Sequence, residues 1–304
     1  MMPGKGAKKR GNRLGMAIFK VSLKIFGLSG AYGLLYIVSL YYLVFDRRAV
    51  ASSMAYIKRR FRRYGAIRRL AGVYRIFINQ GKNLIDRYYL ISGLGRFDIE
   101  LYGYDKLNAL LSESRKGVIL LTAHVGNWQV AMTALEKLGK TVYLVMRPED
   151  NAAVKETLNI DSETGKVRII FSDGFLGGVV EIMDAIEQGC IVSIMGDRGY
   201  GQNIMDAVLM GDRVGLPYGA FSIAAAAKCP VVVLLSARLY KKKYIVDVSH
   251  VIGPASGTKA EKHEKIRTCV QEFAGVLDNY AARYPFQWFV FGDLWEGKQL
   301  EEKT

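Results

Sequence analysis

The chain is poor in the residues that build metal centres and disulfide frameworks: its 304 residues include three cysteines and three histidines. Cys190, Cys229 and Cys269 lie far apart with no C-x-x-C pair, and the histidines form no cluster of metal-ligand spacing. Neither a structural metal site nor a disulfide scaffold is expected. Each cysteine falls in or beside an apolar stretch and reads as a small buried hydrophobe in a reducing compartment. Acidic residues are scarce in one region. Residues 1–75 carry 17 lysines and arginines against a single acid, Asp46, whereas the other 229 residues balance to within one charge. The net charge of +15 therefore belongs to the N-terminal quarter and not to the chain as a whole.

Charge of either sign is also missing between Ile25 and Phe45. As a helix this run of 21 residues is about 31 Å long, enough to cross a hydrocarbon core. It is too long for the core of a signal peptide, and Asp46-Arg47-Arg48 is not a small-residue cleavage site. Residues 1–24 read as a basic flexible arm leading into a helix, and residues 25–46 as a membrane-inserting helix. Lysines and arginines flank both ends, so the positive-inside rule does not choose an orientation. A single span and a helix laid into one leaflet both remain open.

Residues 47–92 read as a basic amphipathic helical region. Lys58-Arg59-Arg60, Arg62-Arg63 and Arg68-Arg69 are interleaved with Ile57, Phe61, Ile67, Leu70, Tyr74 and Phe77. Beside a membrane segment, this pattern points to anionic lipid headgroups as a partner. No recognised nucleic-acid motif accompanies it, and nucleic acid is not expected.

After a connecting region near Gly93–Lys116, strand-like and helix-like segments alternate. Strands are expected at 117–123, 141–146, 167–171, 190–195, 230–237 and 243–251, and helices at 128–138, 174–188, 218–228 and 259–283. Tyr240 to Tyr244 reads as an antiparallel hairpin at one sheet edge. The alternation predicts an α/β domain over 93–304, with a mostly parallel central sheet flanked by helices.

Within it, Gly117 to Gln129 carries the strongest local signal. An apolar run of strand length stops at His124, Gly126 lets the backbone turn, and Asn127 sits where the next helix needs its N-cap. His124 is thereby placed at a strand-to-helix turn, beside unpaired N–H groups that favour negative charge on a substrate oxygen. The same position also suits a buried histidine satisfied by a backbone carbonyl. Arg147-Pro148 follows the next strand, and arginine suits bidentate recognition of phosphate or carboxylate. Gly196-Asp197-Arg198-Gly199-Tyr200-Gly201 also follows a strand. It is no nucleotide loop, because Ile204 replaces the last glycine of G-x-G-x-x-G and Gln202 stands where a P-loop needs lysine.

Taken together, His124-Val125-Gly126-Asn127-Trp128-Gln129, Arg147-Pro148, Asp197-Arg198 and the segment from Gly215-Leu216-Pro217 to Pro230-Val231-Val232 resemble the late acyltransferases of bacterial lipid A biosynthesis and their lysophospholipid-acyltransferase relatives. The likeness implies transfer of a fatty acyl group from an acyl carrier protein or coenzyme A thioester to a hydroxyl or amine of a lipid or glycolipid. It also implies a bacterial inner-membrane location with the catalytic domain on the cytoplasmic face, no bound cofactor and no metal.

Residue by residue, the resemblance makes His124 the catalytic base and Gly126, Asn127 and Trp128 its turn. Arg147 becomes the substrate-orienting arginine, and Asp197 the acid of the third element. Arg198 replaces that element's usual glutamine. Gln129 stands where the family carries Glu or Asp, so it would hold the tautomer of His124 without a negative charge, with Asp197 and then Glu136 as substitute acids. Tyr284-Pro285-Phe286-Gln287-Trp288-Phe289 resembles the family's C-terminal element, without the basic tail of the lipid A enzymes. A lipid-binding pseudoenzyme of the same fold, inactive through Gln129, is the alternative. The near-neutral region beyond residue 75 leaves any acidic carrier protein to dock on a local patch or on the basic N-terminal segment.

Overall fold

A computed structural model describes residues 13–135, 138–147, 167–172, 178–198, 203–290 and 294–295, with side chains described from residue 18 onward. Nine strands alternate with helices among these residues. Seven strands form one sheet, β1 (Asp98–Tyr102), β9 (Lys243–Ile252), β8 (Val231–Tyr240), β2 (Val118–Thr122), β5 (Ile191–Met195), β3 (Val142–Met146) and β4 (Val167–Phe171), in that spatial order. All neighbours are parallel except β8 and β9. The expected α/β class and mostly parallel sheet are both found.

β2 is the central strand and is buried along its whole length. Its alternate side chains serve two cores. Val118 and Leu120 pack with α4 (Tyr104–Glu113) and α5 (Trp128–Leu135), while Ile119 and Leu121 pack with α6 (Val179–Glu187), α7 (Gly219–Ala227) and α8 (Lys259–Arg283). A strand covered on both faces needs an unbroken apolar run, which is what Val118–Leu121 supplies. α8 starts at Lys259 because Thr258 and Glu261 form a capping box, each side chain accepting the other's backbone N–H.

Three helices precede the sheet: α1 (Arg13–Phe45), α2 (Arg47–Arg60) and α3 (Ala66–Ile91). α1 begins inside the expected basic arm, of which residues 1–12 lie outside the described residues, and it is interrupted at Gly27, whose φ is +61°. Asp46 ends α1 and starts α2, its Oδ1 accepting the Ala49 N–H at 3.0 Å. Leu23, Leu28, Ala31, Tyr32 and Leu35 of α1 form a third core with Ile85 and Tyr89 of α3, Val130 of α5 and Tyr244 of β9.

Three expectations are corrected. The stretch 93–116 is not merely a connection, since it contributes β1 and α4. The Tyr240–Tyr244 hairpin exists, but β9 is not an edge strand because β1 pairs outside it. Residues 204–217 form a hairpin, β6 (Ile204–Leu209) with β7 (Asp212–Pro217), that the sequence did not announce.

Candidate active site

The sheet brings His124 and Asp197 together. β2 and β5 are parallel neighbours in which Thr122 pairs with Met195, so the residues two positions beyond each strand end lie side by side. The His124 N–H donates to Asp197 Oδ2 at 2.9 Å, and His124 Nδ1 lies 2.7 Å from Asp197 Oδ1. Backbone and ring are thus fixed by one carboxylate. The Trp288 Nε1–H donates to Asp197 Oδ2 at 3.0 Å.

Asp197 is 1% exposed. Burial opposes its ionisation, but the His124 ring, the guanidinium of Arg198 and the Trp288 N–H together outweigh burial and hold the carboxyl well below the usual carboxylate range. An ionised carboxylate only accepts hydrogen bonds, so the proton belongs on His124 Nδ1 and the lone pair on Nε2. The His124 side chain is 25% exposed, and no described residue bonds Nε2. The ring therefore presents a basic nitrogen at the open end of the sheet, held from behind by a buried anion.

The turn after His124 is braced from three sides. The Phe289 N–H donates to the His124 carbonyl at 2.9 Å, the Gly126 N–H donates to the Gln287 carbonyl at 2.8 Å, and Val125 and Trp288 form an antiparallel bridge between them. Gly126 has φ +62°, and a Cβ there would come within 2.0 Å of the Ser236 carbonyl oxygen on β8. Both the left-handed backbone and the close approach require glycine. On the third side, the Asn83 amide of α3 donates to the Gly126 carbonyl. The Asn127 amide donates in turn to the Asn83 carbonyl at 3.1 Å. Asn127 Oδ1 accepts the Val130 N–H at 3.4 Å, which makes Asn127 the cap of α5.

The remaining expected residues are placed differently from one another. Gln129 is half-buried in the first turn of α5, and its side chain makes no hydrogen bond among the described residues; the carboxylate beside His124 is that of Asp197. Trp128 packs into the core that α5 shares with β2 and β8. An Arg198 Nη2–H donates to the Phe289 carbonyl at 2.8 Å and so tethers the C-terminal segment. Arg147 is half-buried at the end of β3. Continuing the Leu144↔Ser193 register puts it level with Gly196, at the same sheet edge as His124 but two strands away, about 10 Å across the sheet. Pro148, Glu136 and residues 199–202 lie outside the described residues.

The Gly126 N–H, part of the turn beside His124, is committed to the Gln287 carbonyl and is not free to bind a substrate oxygen. Among the described residues the Val125, Asn127, Trp128 and Gln129 N–H groups of this turn have no hydrogen-bond partner, and the last two are the first N–H groups of α5. Trp288, Gln287 and Asn83 also belong to the site, although nothing in the sequence pattern assigns them a role there. The first two still carried a signal, since they lie in the C-terminal segment already noted. Asn83 had none, because its role depends on how α3 crosses the turn.

A mostly parallel α/β sheet with a histidine–carboxylate pair at the carboxyl end of its central strand is the architecture of enzymes that bind ligands at that edge. Over residues 51–296 the chain matches the sequence model of the family described as bacterial lipid A biosynthesis acyltransferase. The chain belongs to that family. No curated protein matches it.

Proposed function

We propose that the protein is a membrane-associated acyltransferase that moves a fatty acyl group from an acyl carrier protein or coenzyme A thioester to a hydroxyl or amine of a lipid or glycolipid, with His124 as general base. The observation that carries this reading is the pairing of His124 Nδ1 with buried Asp197 at 2.7 Å, which leaves Nε2 uncommitted at the sheet edge. Nε2 takes the acceptor's proton as its oxygen or nitrogen attacks the thioester carbonyl. The intermediate's oxyanion lies against the first N–H groups of α5, and its collapse breaks the C–S bond and expels the thiolate, to which the imidazolium returns the proton. Asp197 keeps the tautomer and stabilises the imidazolium.

Glutamine at position 129 then leaves the base fully equipped. Arg147 holds an anionic group of a substrate at the same edge. Inner-membrane attachment on the cytoplasmic face agrees with the uncharged run 25–45, the basic flanks and three cysteines that form no disulfide.

Comparative lipid mass spectrometry of cells making wild-type protein or His124→Ala at equal levels tests this. A membrane lipid that gains one acyl chain only with the wild type is expected, and it identifies the acceptor. Identical lipids, together with no turnover by purified protein given either thioester and a panel of acceptors, would favour a lipid-binding protein of the same fold.

A further inference from the structure

α1 has two faces of opposite kind. Leu28, Ala31, Tyr32, Leu35 and Ser39 form a buried stripe at helical spacing. On the other side Phe26, Ile37, Leu40, Tyr41, Val44 and Phe45 are each 53–71% exposed. The 21 residues from Ile25 to Phe45 contain no charge. So long an apolar stripe marks an interaction surface.

The helix is not free to stand across a bilayer, because α3 runs antiparallel beside it. The Tyr74 hydroxyl donates to the Tyr36 carbonyl at 2.8 Å, and the Tyr32 hydroxyl donates to Asp86. The Lys82 ammonium lies 5.2 Å from the centre of the Tyr32 ring. Gly81 admits Leu35 so closely that a Cβ would come within 2.5 Å of it. If α1 crossed the hydrocarbon, α3 would carry Arg75, Lys82, Asp86 and Arg87 in with it, at about 2.5–3.5 kcal/mol for each charge near the centre. The uninterrupted helix after Gly27 spans 18 residues, about 27 Å, at the short end of the lengths that cross a hydrocarbon core.

Charge placement agrees. Lys20 and Lys24 precede the uncharged run, and Arg47 and Arg48 follow it. A span must export one of these pairs, whereas a helix lying flat gives both to the headgroups of the same leaflet.

We infer that α1 is an in-plane helix whose uncharged face sinks into one leaflet of a membrane containing anionic lipid, with α3 above it in water. This inference rests on the membrane-associated reading above and adds its geometry. The buried face of α1 belongs to the same core as Val130 of α5, the helix that begins at the His124 turn, and α3 packs against both helices. The candidate site is thereby held at the leaflet surface, and an acceptor is reached while its acyl chains stay in that leaflet.

Full-length protein carrying Cys190→Ser with Lys24→Cys, Arg48→Cys or Lys106→Cys, each treated with a membrane-impermeant maleimide in sealed vesicles of either orientation, tests the geometry. All three positions should label from the same side. Labelling of Lys24→Cys and Arg48→Cys from opposite sides would establish a span and overturn the inference. Flotation of the purified chain with phosphatidylglycerol-containing liposomes tests the underlying reading separately. Failure to float at all would remove membrane association itself, and a disulfide-linked dimer of Ile37→Cys in place of flotation would mean that a second copy covers the face. Ile37→Glu with Leu40→Glu should lower flotation roughly tenfold or more while leaving the circular dichroism unchanged; undiminished flotation would contradict the inference.

Discussion

Two carboxylates are buried almost completely among the described residues, and their surroundings drive them in opposite directions. Asp197, at the edge of the sheet, accepts a backbone N–H, an indole N–H and the His124 ring, and it is held well below the usual range. Asp86, in the layer between α1, α3 and β9, accepts the hydroxyls of Tyr32 and Tyr244. Its nearest cationic atom is Arg238 Nε, 3.9 Å away. There desolvation exceeds the help from the two phenols, Arg238 and Lys82, and the carboxyl is pushed up to about 6. Equal burial therefore does not mean equal chemistry. Donors of N–H bonds and an adjacent imidazole make a permanent anion that can support a base, whereas two phenols do not offset desolvation, and that carboxyl exchanges its proton in a mildly acidic medium.

The difference is broken most severely by Asp197→Asn. The amide cannot both accept from Nδ1 and stabilise the imidazolium, and kcat should fall by about 10³-fold or more with little change in KM, read by steady-state acyl transfer. The second effect is on stability and has the opposite sign at the two carboxylates. Asp86 has a folded-state value raised above the unfolded 3.8, so its contribution is present below pH 3.8 and is lost as pH rises to about 6. The loss amounts to about 3 kcal/mol. Asp197, depressed, contributes above its unfolded value and loses that contribution as pH falls. Urea melts at pH 4 and pH 7 should show Asp86→Asn removing most of the decline between them, and a decline unchanged by that substitution would place the raised group elsewhere.

Trp288→Phe keeps an aromatic ring in this buried place but is smaller than the indole and deletes its N–H bond to Asp197. A loss of about tenfold in kcat, equivalent to roughly 1.4 kcal/mol, is expected. The smallest effect is at Asn83, whose amide braces Gly126 from α3. Asn83→Ala should lower stability by about 1 kcal/mol in chemical denaturation.

Parts of this arrangement were legible in the sequence for physical reasons. Val118–Leu121 is apolar without interruption because both faces of β2 are covered. Asn127 announced the start of α5 because few residues can cap a helix in that position. The β6–β7 hairpin was not legible. Its two-residue turn is Met210-Gly211, with φ +57° and +83°, and methionine in a left-handed conformation gives no turn signal. β1 was missed because it is five residues long and lies at the sheet edge, where burial does not impose an apolar pattern. The His124–Asp197 contact joins residues 73 apart, through a sheet in which β5 returns to sit between β2 and β3. Only the strand order makes those two residues neighbours, and local pattern carries no record of strand order.

The central claim, that Asp197 and not position 129 supplies the carboxylate for His124, is tested most directly by measuring kcat for Gln129→Glu in the wild-type and Asp197→Asn backgrounds. A change within about twofold in the wild type and no recovery in Asp197→Asn are expected, because Asp197 and not residue 129 pairs with the His124 ring. A Gln129→Glu substitution that raises turnover, or that restores activity to Asp197→Asn, would contradict the claim.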